Sequence, residues 1–139
     1  MICNDTISLF DSVETDDGIK ILQYIISNVY LEKTFGAKLS NNGEYKSYNA
    51  TLFIPDCYIS DDKYVKPKEW GILSLDDKLS YFTIRPNQVV VHTDKLLNYN
   101  SLDDILNNED DAFRVIGIEC LSKVLPHFEV LGKYVIIWY

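Results

Sequence analysis

Isoleucine, tyrosine and other apolar residues dominate the segment Ile19–Thr34, where they occupy both alternating sets of positions. A strand with two apolar faces and a helix both fit a run of this length. The β-branched residues disfavour a helix, and Ser27 and Asn28 interrupt the run in its middle. The segment therefore predicts extended structure.

Shorter runs of the same character occur along the rest of the chain and are separated by turn signals. The first of these signals is Asp16-Asp17-Gly18, which contains the Asp-Gly pair typical of tight turns. Together the runs predict about eight strands, a pattern typical of an all-β barrel or sandwich. Besides the long segment, the predicted strands are Ile7–Phe10, Tyr48–Ile54, Leu79–Ile84, Val89–His92, Phe113–Cys120, Phe128–Val130 and Tyr134–Trp138.

Two connections and one helix complete the expected fold. The polar segment Phe35–Ser47, centred on Asn41-Asn42-Gly43, predicts a hairpin with a long tip, and Asp56–Leu75 predicts a loop with one helical turn at Pro67–Trp70. Ser101 is a natural N-cap for a helix over Ser101–Asn108, and its apolar stripe consists of Leu102, Ile105 and Leu106. No internal repeat is evident. We therefore predict a mostly β, single domain over residues 1–139: a small β-barrel or curved antiparallel sheet with a long hairpin and one short α-helix.

The charge balance limits the partners of this chain. Its 139 residues carry 21 acidic and 13 basic side chains, a formal charge of −8. Such an excess repels phosphate, which argues against an autonomous duplex-binding protein. No apolar run reaches the roughly 18 residues of a membrane helix, and we expect neither a secretory signal nor a membrane partner. Cys3, Cys57 and Cys120 are few, odd in number and dispersed, which favours a reducing compartment.

No residue pattern predicts catalysis. Neither a nucleophile elbow nor a cysteine beside a base is present, and the six glycines form no phosphate-binding loop. The two histidines have no second His or Cys nearby, so we expect no metal and no cofactor. The acidic residues of the segment 103–111 lack the ligand spacing of a calcium loop, and they are interpreted as a solvated helix face. We expect that the protein is not an enzyme.

Seven short motifs occur in order along most of the chain. They are Thr6–Phe10, Ile26–Glu32, Asn42-Gly43, Ala50–Pro55, Tyr64–Trp70, Phe82–Val91 and the closing His127–Lys133. Through these motifs the chain resembles a family of small uncharacterised proteins encoded in the structural-gene clusters of tailed phages and prophages of Firmicutes. The arrangement also resembles the minor capsid proteins that serve as head-closure, or stopper, components of siphophage head–tail connectors.

The resemblance implies a β-barrel subunit of a homo-oligomeric ring, a dodecamer, in the neck of the virion. Portal and adaptor proteins would lie above the ring and tail proteins below it. DNA would pass through without sequence-specific binding, and the ring would seal the packaged DNA after assembly in the bacterial host cytoplasm. Asn87-Gln88 stands where such families often have Gly-Asp, and Asn can still adopt the left-handed turn conformation. His127 and Glu129 are conspicuous positions to which no chemical task is assigned.

Two segments are the candidate channel-loop or interface sites. The hairpin tip is expected to reach the channel axis and to be mobile in the free subunit, because it offers little apolar surface. The closing segment has apolar side chains at successive positions and is expected to need cover on both faces. A tail-completion (tail-terminator) protein and a small-ligand binding module remain the alternatives. The candidate residues are Lys38, Leu39, Asn41, Asn42, Gly43, Glu44, Ile137, Trp138 and Tyr139.

Overall fold

The fold is a closed antiparallel barrel. The computed structural model describes residues 3–40, 43–55, 63–121 and 127–134. Neighbouring strands pair in the order β1-β2-β3-β6-β5-β4, and β4 pairs back with β1. The strands are β1 (Asp5–Thr15), β2 (Gly18–Ser40), β3 (Gly43–Pro55), β4 (Val89–Val91), β5 (Ala112–Leu121) and β6 (His127–Tyr134). The predicted mostly β barrel is confirmed.

The period-two alternation of the strands sorts apolar side chains onto the two surfaces of the barrel wall. On β1, Ile7 and Leu9 belong to the interior cluster, whereas Phe10 belongs to a second cluster on the outer surface. The two clusters explain why three consecutive valines are all buried in β4. The interior cluster contains Ile7, Leu9, Ile26, Val29, Ala50, Leu52, Ile54, Phe82, Ile84, Val90, Phe113, Val115 and Val130.

A short helix, α3 (Leu102–Asn108), covers the outer cluster, as the sequence predicts. The Ser101 hydroxyl accepts a hydrogen bond from the Asp104 amide at 3.1 Å and caps the helix. Ile105 and Leu106 are buried, and Leu102 packs against them over β1, β4 and β5. The apolar stripe of α3 therefore closes the barrel wall from outside.

The chain between β3 and β4 differs from the sequence prediction. The predicted helical turn at Pro67 is confirmed as α1 (Pro67–Gly71). A second helix, α2 (Leu75–Ser80), includes the first two residues of the predicted strand Leu79–Ile84. The strand prediction is wrong because the Ser74 hydroxyl accepts from the Asp77 amide and caps a helix there. In the part of the chain that the structure describes, Phe82 forms an isolated β-bridge with Tyr64 and is not part of a named strand.

The same tetrapeptide, Ser-Leu-Asp-Asp, precedes or begins both α2 and α3, at residues 74–77 and 101–104. In both helices the serine hydroxyl accepts a hydrogen bond from the backbone amide three residues later. The described residues form six strands and three short helices, where the sequence predicts about eight strands and one helix. Most of the predicted strand Tyr134–Trp138 lies outside the described residues.

The turn predictions hold. Asp16 and Asp17 form the turn between β1 and β2, and Gly18 after them has φ +110°, a conformation that favours glycine. Asn87 has φ +75°, the left-handed conformation that asparagine was expected to tolerate at this turn. No described helix is long and apolar enough to cross a membrane.

Candidate functional site

The strands β2 and β3 continue together beyond the barrel wall. Among the described residues, β1 pairs with β2 over Gly18–Val29, and β6 pairs with β3 from Asn49 onward. The β2–β3 pairing continues from Phe35↔Tyr48 to Ser40↔Gly43. This outer part, residues 35–40 and 43–48, is called the ribbon below. At about 3.3 Å per residue it extends roughly 20 Å.

The ribbon was predicted as the tip of a hairpin loop, and the structure corrects that prediction. Pairing reaches Ser40↔Gly43, so the backbone is strand up to a connection of two residues. Lys38, Leu39, Gly43 and Glu44 are therefore strand residues within the ribbon. Of the other candidates, Asn41, Asn42, Ile137, Trp138 and Tyr139 lie outside the described residues. His127 and Glu129 lie on β6 and pair with Pro55 and Phe53 of β3.

Polar contacts lie near the base of the ribbon, around Asp5, the first residue of β1. The Asp5 carboxylate accepts a hydrogen bond from the Leu31 amide at 3.0 Å, directly after the last β1–β2 pair. Lys33 makes an ion pair with Asp111 at 2.5 Å, and His92 Nε2 lies 3.8 Å from Asp5 Oδ1. Asn28, at φ +58°, marks the nearby irregularity of β2. These contacts connect β2, just before the ribbon, to the start of β1 and to the segment before β5.

A second polar cluster lies nearer the other end of β1 and is centred on Asp11. Both Asp11 carboxylate oxygens accept hydrogen bonds from Arg85, at 2.8 Å from Nε and 2.8 Å from Nη2. The Gln88 side-chain Nε2 donates to the Asp11 carboxylate at 3.0 Å and to the Thr83 backbone carbonyl at 2.9 Å. Gln88 Oε1 in turn accepts from the Arg85 amide at 2.9 Å. The cluster ties the segment before β4 to β1.

This cluster favours the charged form of the Arg85 side chain. Its hydrogen bond to Asp11 raises the pKa of the guanidinium, against the opposing effect of partial burial. Arg85 also lies 5.3 Å, and the Lys78 ammonium 5.4 Å, from the centroid of the buried Trp70 ring. The Trp70 indole N–H donates to the Tyr81 carbonyl at 3.2 Å. The helices α1 and α2 are thereby joined to the same cluster.

A cavity of about 20 Å³ borders this cluster, between Asp11, Tyr24, Trp70, Phe82 and Thr83. A volume of this size suits a single water molecule rather than an organic substrate. The Asp11 carboxylate is occupied by four donors, including the Ser12 amide at 2.8 Å. We therefore interpret the cluster as a polar network that stabilises the barrel, not as a reaction centre.

The outer surface of β2 carries an apolar strip, which we call the outer stripe and define by Ile19, Ile25 and Leu96. Ile19 is 67% exposed and Leu96 is 84% exposed, while Ile25 is 39% exposed. Gln23, between the two isoleucines, holds residues 95–97 against β2. Its side-chain amide donates to the Lys95 carbonyl at 2.8 Å and accepts from the Leu97 amide at 2.9 Å. Leu96 is thus fixed beside the strand while its side chain faces solvent.

The acidic residues near α3 were predicted to be a solvated face, and most of the side chains are exposed. Asp103 pairs with Arg114 at 2.5 Å, and Glu109 accepts from the Tyr99 hydroxyl at 3.1 Å. Over the described ranges no group of three or more Asp, Glu, His or Cys side chains is arranged to hold a metal ion.

Sequence reasoning missed the Asp11 cluster entirely. Asp11 and Arg85 are 74 residues apart, so no local spacing connects them. One available signal was a carboxylate within the apolar strand Ile7–Asp11, because a buried Asp requires a partner. The exposed side of β2 had a clearer signal, since apolar residues on both faces of Ile19–Thr34 leave one face to be covered.

The geometry defines a small closed β-barrel with a projecting two-stranded ribbon and an exposed apolar stripe on one wall. The chain belongs to a family of unknown function, DUF6751, whose model matches residues 2–133. No curated protein and no solved structure matches the chain.

Proposed function

We propose that this protein is a subunit of a homo-oligomeric ring in the neck of a tailed phage, where it acts as the head-closure (stopper) component of the head–tail connector. The observation that carries the proposal is the ribbon, which extends the β2–β3 pairing past the barrel. The sequence resemblance to phage connector proteins supplies the biological setting, the virion, with portal or adaptor proteins above and tail proteins below.

The ribbon favours assembly because two strands alone are marginally stable in water. No described strand pairs with the outer edge of residues 35–40 or 43–48. Exposed strand edges of this kind are usually covered or used for association. A projecting arm that contacts a different surface of the next copy gives a head-to-tail contact, and such contacts form a ring when the rotation between copies closes. A dodecamer is the ring size implied by the resemblance.

The charge of the subunit is compatible with a DNA channel. A formal charge of −8 per subunit disfavours binding of phosphate at the lumen. DNA could then pass without being held by its backbone. Closure of the channel would have to come from a physical obstruction, which an arm of about 20 Å could provide.

Shortening the ribbon tests this function. Because Lys38 pairs with Tyr45, replacing residues 38–45 by Asn-Gly keeps Ala37 opposite Lys46 and preserves the register. Removing only residues 38–44 would shift the register by one. The matched control, Asn42→Gly, keeps the ribbon at full length.

We expect heads that carry the shortened protein to lose packaged DNA, measured as nuclease sensitivity of DNA in purified heads. The control heads should retain it. Circular dichroism of the purified variant should show an intact β fold. Full retention of DNA with the shortened ribbon would refute the stopper assignment, and DNA-filled heads without tails would identify a tail-completion protein instead.

The closing segment offers an independent test of ring assembly. Deleting Ile137–Tyr139 should reduce incorporation of the protein into particles, as measured by immunoblotting of purified virions against the major capsid protein. Normal incorporation and infectivity would show that this segment is not part of an interface. The ligand-binding alternative gains no support from the cavity beside Asp11, whose volume of about 20 Å³ is that of a water site.

A further inference from the structure

Thr83 is a buried residue whose hydroxyl calls for a partner. The residue is 1% exposed. Among the described residues, its hydroxyl is the one buried side-chain polar atom that has no hydrogen-bond partner in the protein. Leaving a buried hydroxyl unpaired is costly, and such groups in folded proteins are usually satisfied by ordered water when no protein group is in reach.

The cavity of about 20 Å³ described above is bordered by Thr83. Trp70 of α1 and Lys78 of α2 also border it, and so do Leu9 and Tyr24, which are paired across β1 and β2. Leu9 belongs to the interior cluster and Tyr24 packs against that cluster, so the cavity adjoins the inner side of the barrel wall. The Thr83 hydroxyl is thus shielded from bulk solvent but lies beside a small space.

The size of this space and the charge around it limit its occupant. One water molecule needs about 10–15 Å³, so a volume of about 20 Å³ admits a single water. The Asp11 carboxylate borders the same cavity and repels an anion. A cation finds no open ligand there, because each carboxylate oxygen of Asp11 already accepts two hydrogen bonds. Water is the occupant that remains.

Two other side chains at the cavity have hydrogen-bonding capacity to spare. Gln88 Oε1 accepts one hydrogen bond, from the Arg85 amide, and an amide oxygen can accept two. The Lys78 ammonium donates to the carbonyls of Gly71 and Leu73, at 3.1 and 2.8 Å, and an ammonium can donate three hydrogen bonds. Together with the Thr83 hydroxyl these groups offer the two to four partners that a buried water molecule requires.

We propose that this cavity binds one water molecule and that the Thr83 hydroxyl is its main protein partner. Gln88 and Lys78 are the groups able to complete its hydrogen bonds. The water would then extend the polar network around Asp11 to Thr83, next to the helices α1 and α2. The site belongs to the barrel of a single subunit, so it does not depend on the ring proposed above.

Replacing Thr83 by Val tests this site, because valine keeps the shape of threonine and removes the hydroxyl. If the hydroxyl binds water, Thr83→Val should lower the urea concentration at the unfolding midpoint. If the hydroxyl has no partner, its removal should raise that midpoint. The matched control is Thr51→Val on β3, at a half-buried residue between the inward-facing Ala50 and Leu52, and it should change the midpoint little.

Oxygen-17 relaxation dispersion of the solvent supplies the second measurement, because it counts the water molecules that stay bound while the protein tumbles. Its amplitude should fall by the equivalent of one water in Thr83→Val. It should be unchanged in Thr51→Val and in Thr83→Ser, which keeps the hydroxyl. Equal amplitudes for Thr83→Val and the wild-type protein overturn the proposal, and so does a raised midpoint.

A high-resolution crystal structure of the wild-type protein decides the question if Thr83→Val does not fold. Electron density for a water oxygen within about 3.0 Å of Thr83 Oγ1 would support the site. A cavity without such density would overturn the proposal.

Discussion

Replacing Asp11 by Ala should lower the free energy of unfolding by about 2–4 kcal/mol. Its carboxylate accepts two hydrogen bonds from Arg85, one from Gln88 and one from the Ser12 amide. Removing one partner of a fully buried ion pair costs about 3–5 kcal/mol. Here the Asp11 side chain is 10% exposed and the Arg85 side chain 38% exposed, so water can partly solvate the abandoned guanidinium and the lower range applies.

The assay is urea unfolding at neutral pH, followed by circular dichroism. The matched control is Asp94→Ala, which removes an exposed carboxylate and should change stability by less than about 0.5 kcal/mol. The double variant Asp11→Ala, Arg85→Met removes the unpaired charge, so its destabilisation should be smaller than the sum of the two single effects. A loss below about 1 kcal/mol for Asp11→Ala, or strict additivity in the double variant, would refute the view that this cluster fastens the barrel.

Three further predictions concern local structure. Ser74→Ala and Ser101→Ala should each cost about 1 kcal/mol in chemical unfolding, because each hydroxyl caps a helix; no loss for Ser74→Ala would contradict its capping role. Gly18→Ala should cost about 1–2 kcal/mol from its positive φ alone, since no atom lies within 4 Å of the added Cβ; a neutral result would exclude that conformation. Burial raises the pKa of the Tyr24 hydroxyl above its ordinary 10.0, so the folded state holds this proton more tightly and stability should fall as pH rises above about 10. Tyr24→Phe should make the unfolding midpoint less dependent on alkaline pH, and an unchanged dependence would contradict this assignment.

How much the sequence could predict differs sharply between the two helices that follow Ser-Leu-Asp-Asp. At Ser101 the cap is followed by an apolar stripe and few β-branched residues, so the helix was predicted. At Ser74 the same cap is followed, seven residues later, by the segment Tyr81-Phe82-Thr83-Ile84. The high β propensity of this segment predicts a strand. The structure resolves this competition by ending α2 at Ser80 and burying Phe82 and Ile84 in the barrel interior.

The sequence by itself determined the strand-rich character, the tight turn at Gly18, the capped helix α3 and the left-handed Asn87. Each of these depends on neighbours within a few residues, through side-chain branching, capping or backbone sterics. Only the tertiary structure decided that the polar hairpin is a paired ribbon, since the register of β2 and β3 relative to β1 and β6 determines where the barrel ends. Only the tertiary structure brought Asp11 to Arg85. A buried carboxylate needs a hydrogen-bonding or charged partner, but the folding of the barrel decides which residue lies beside it.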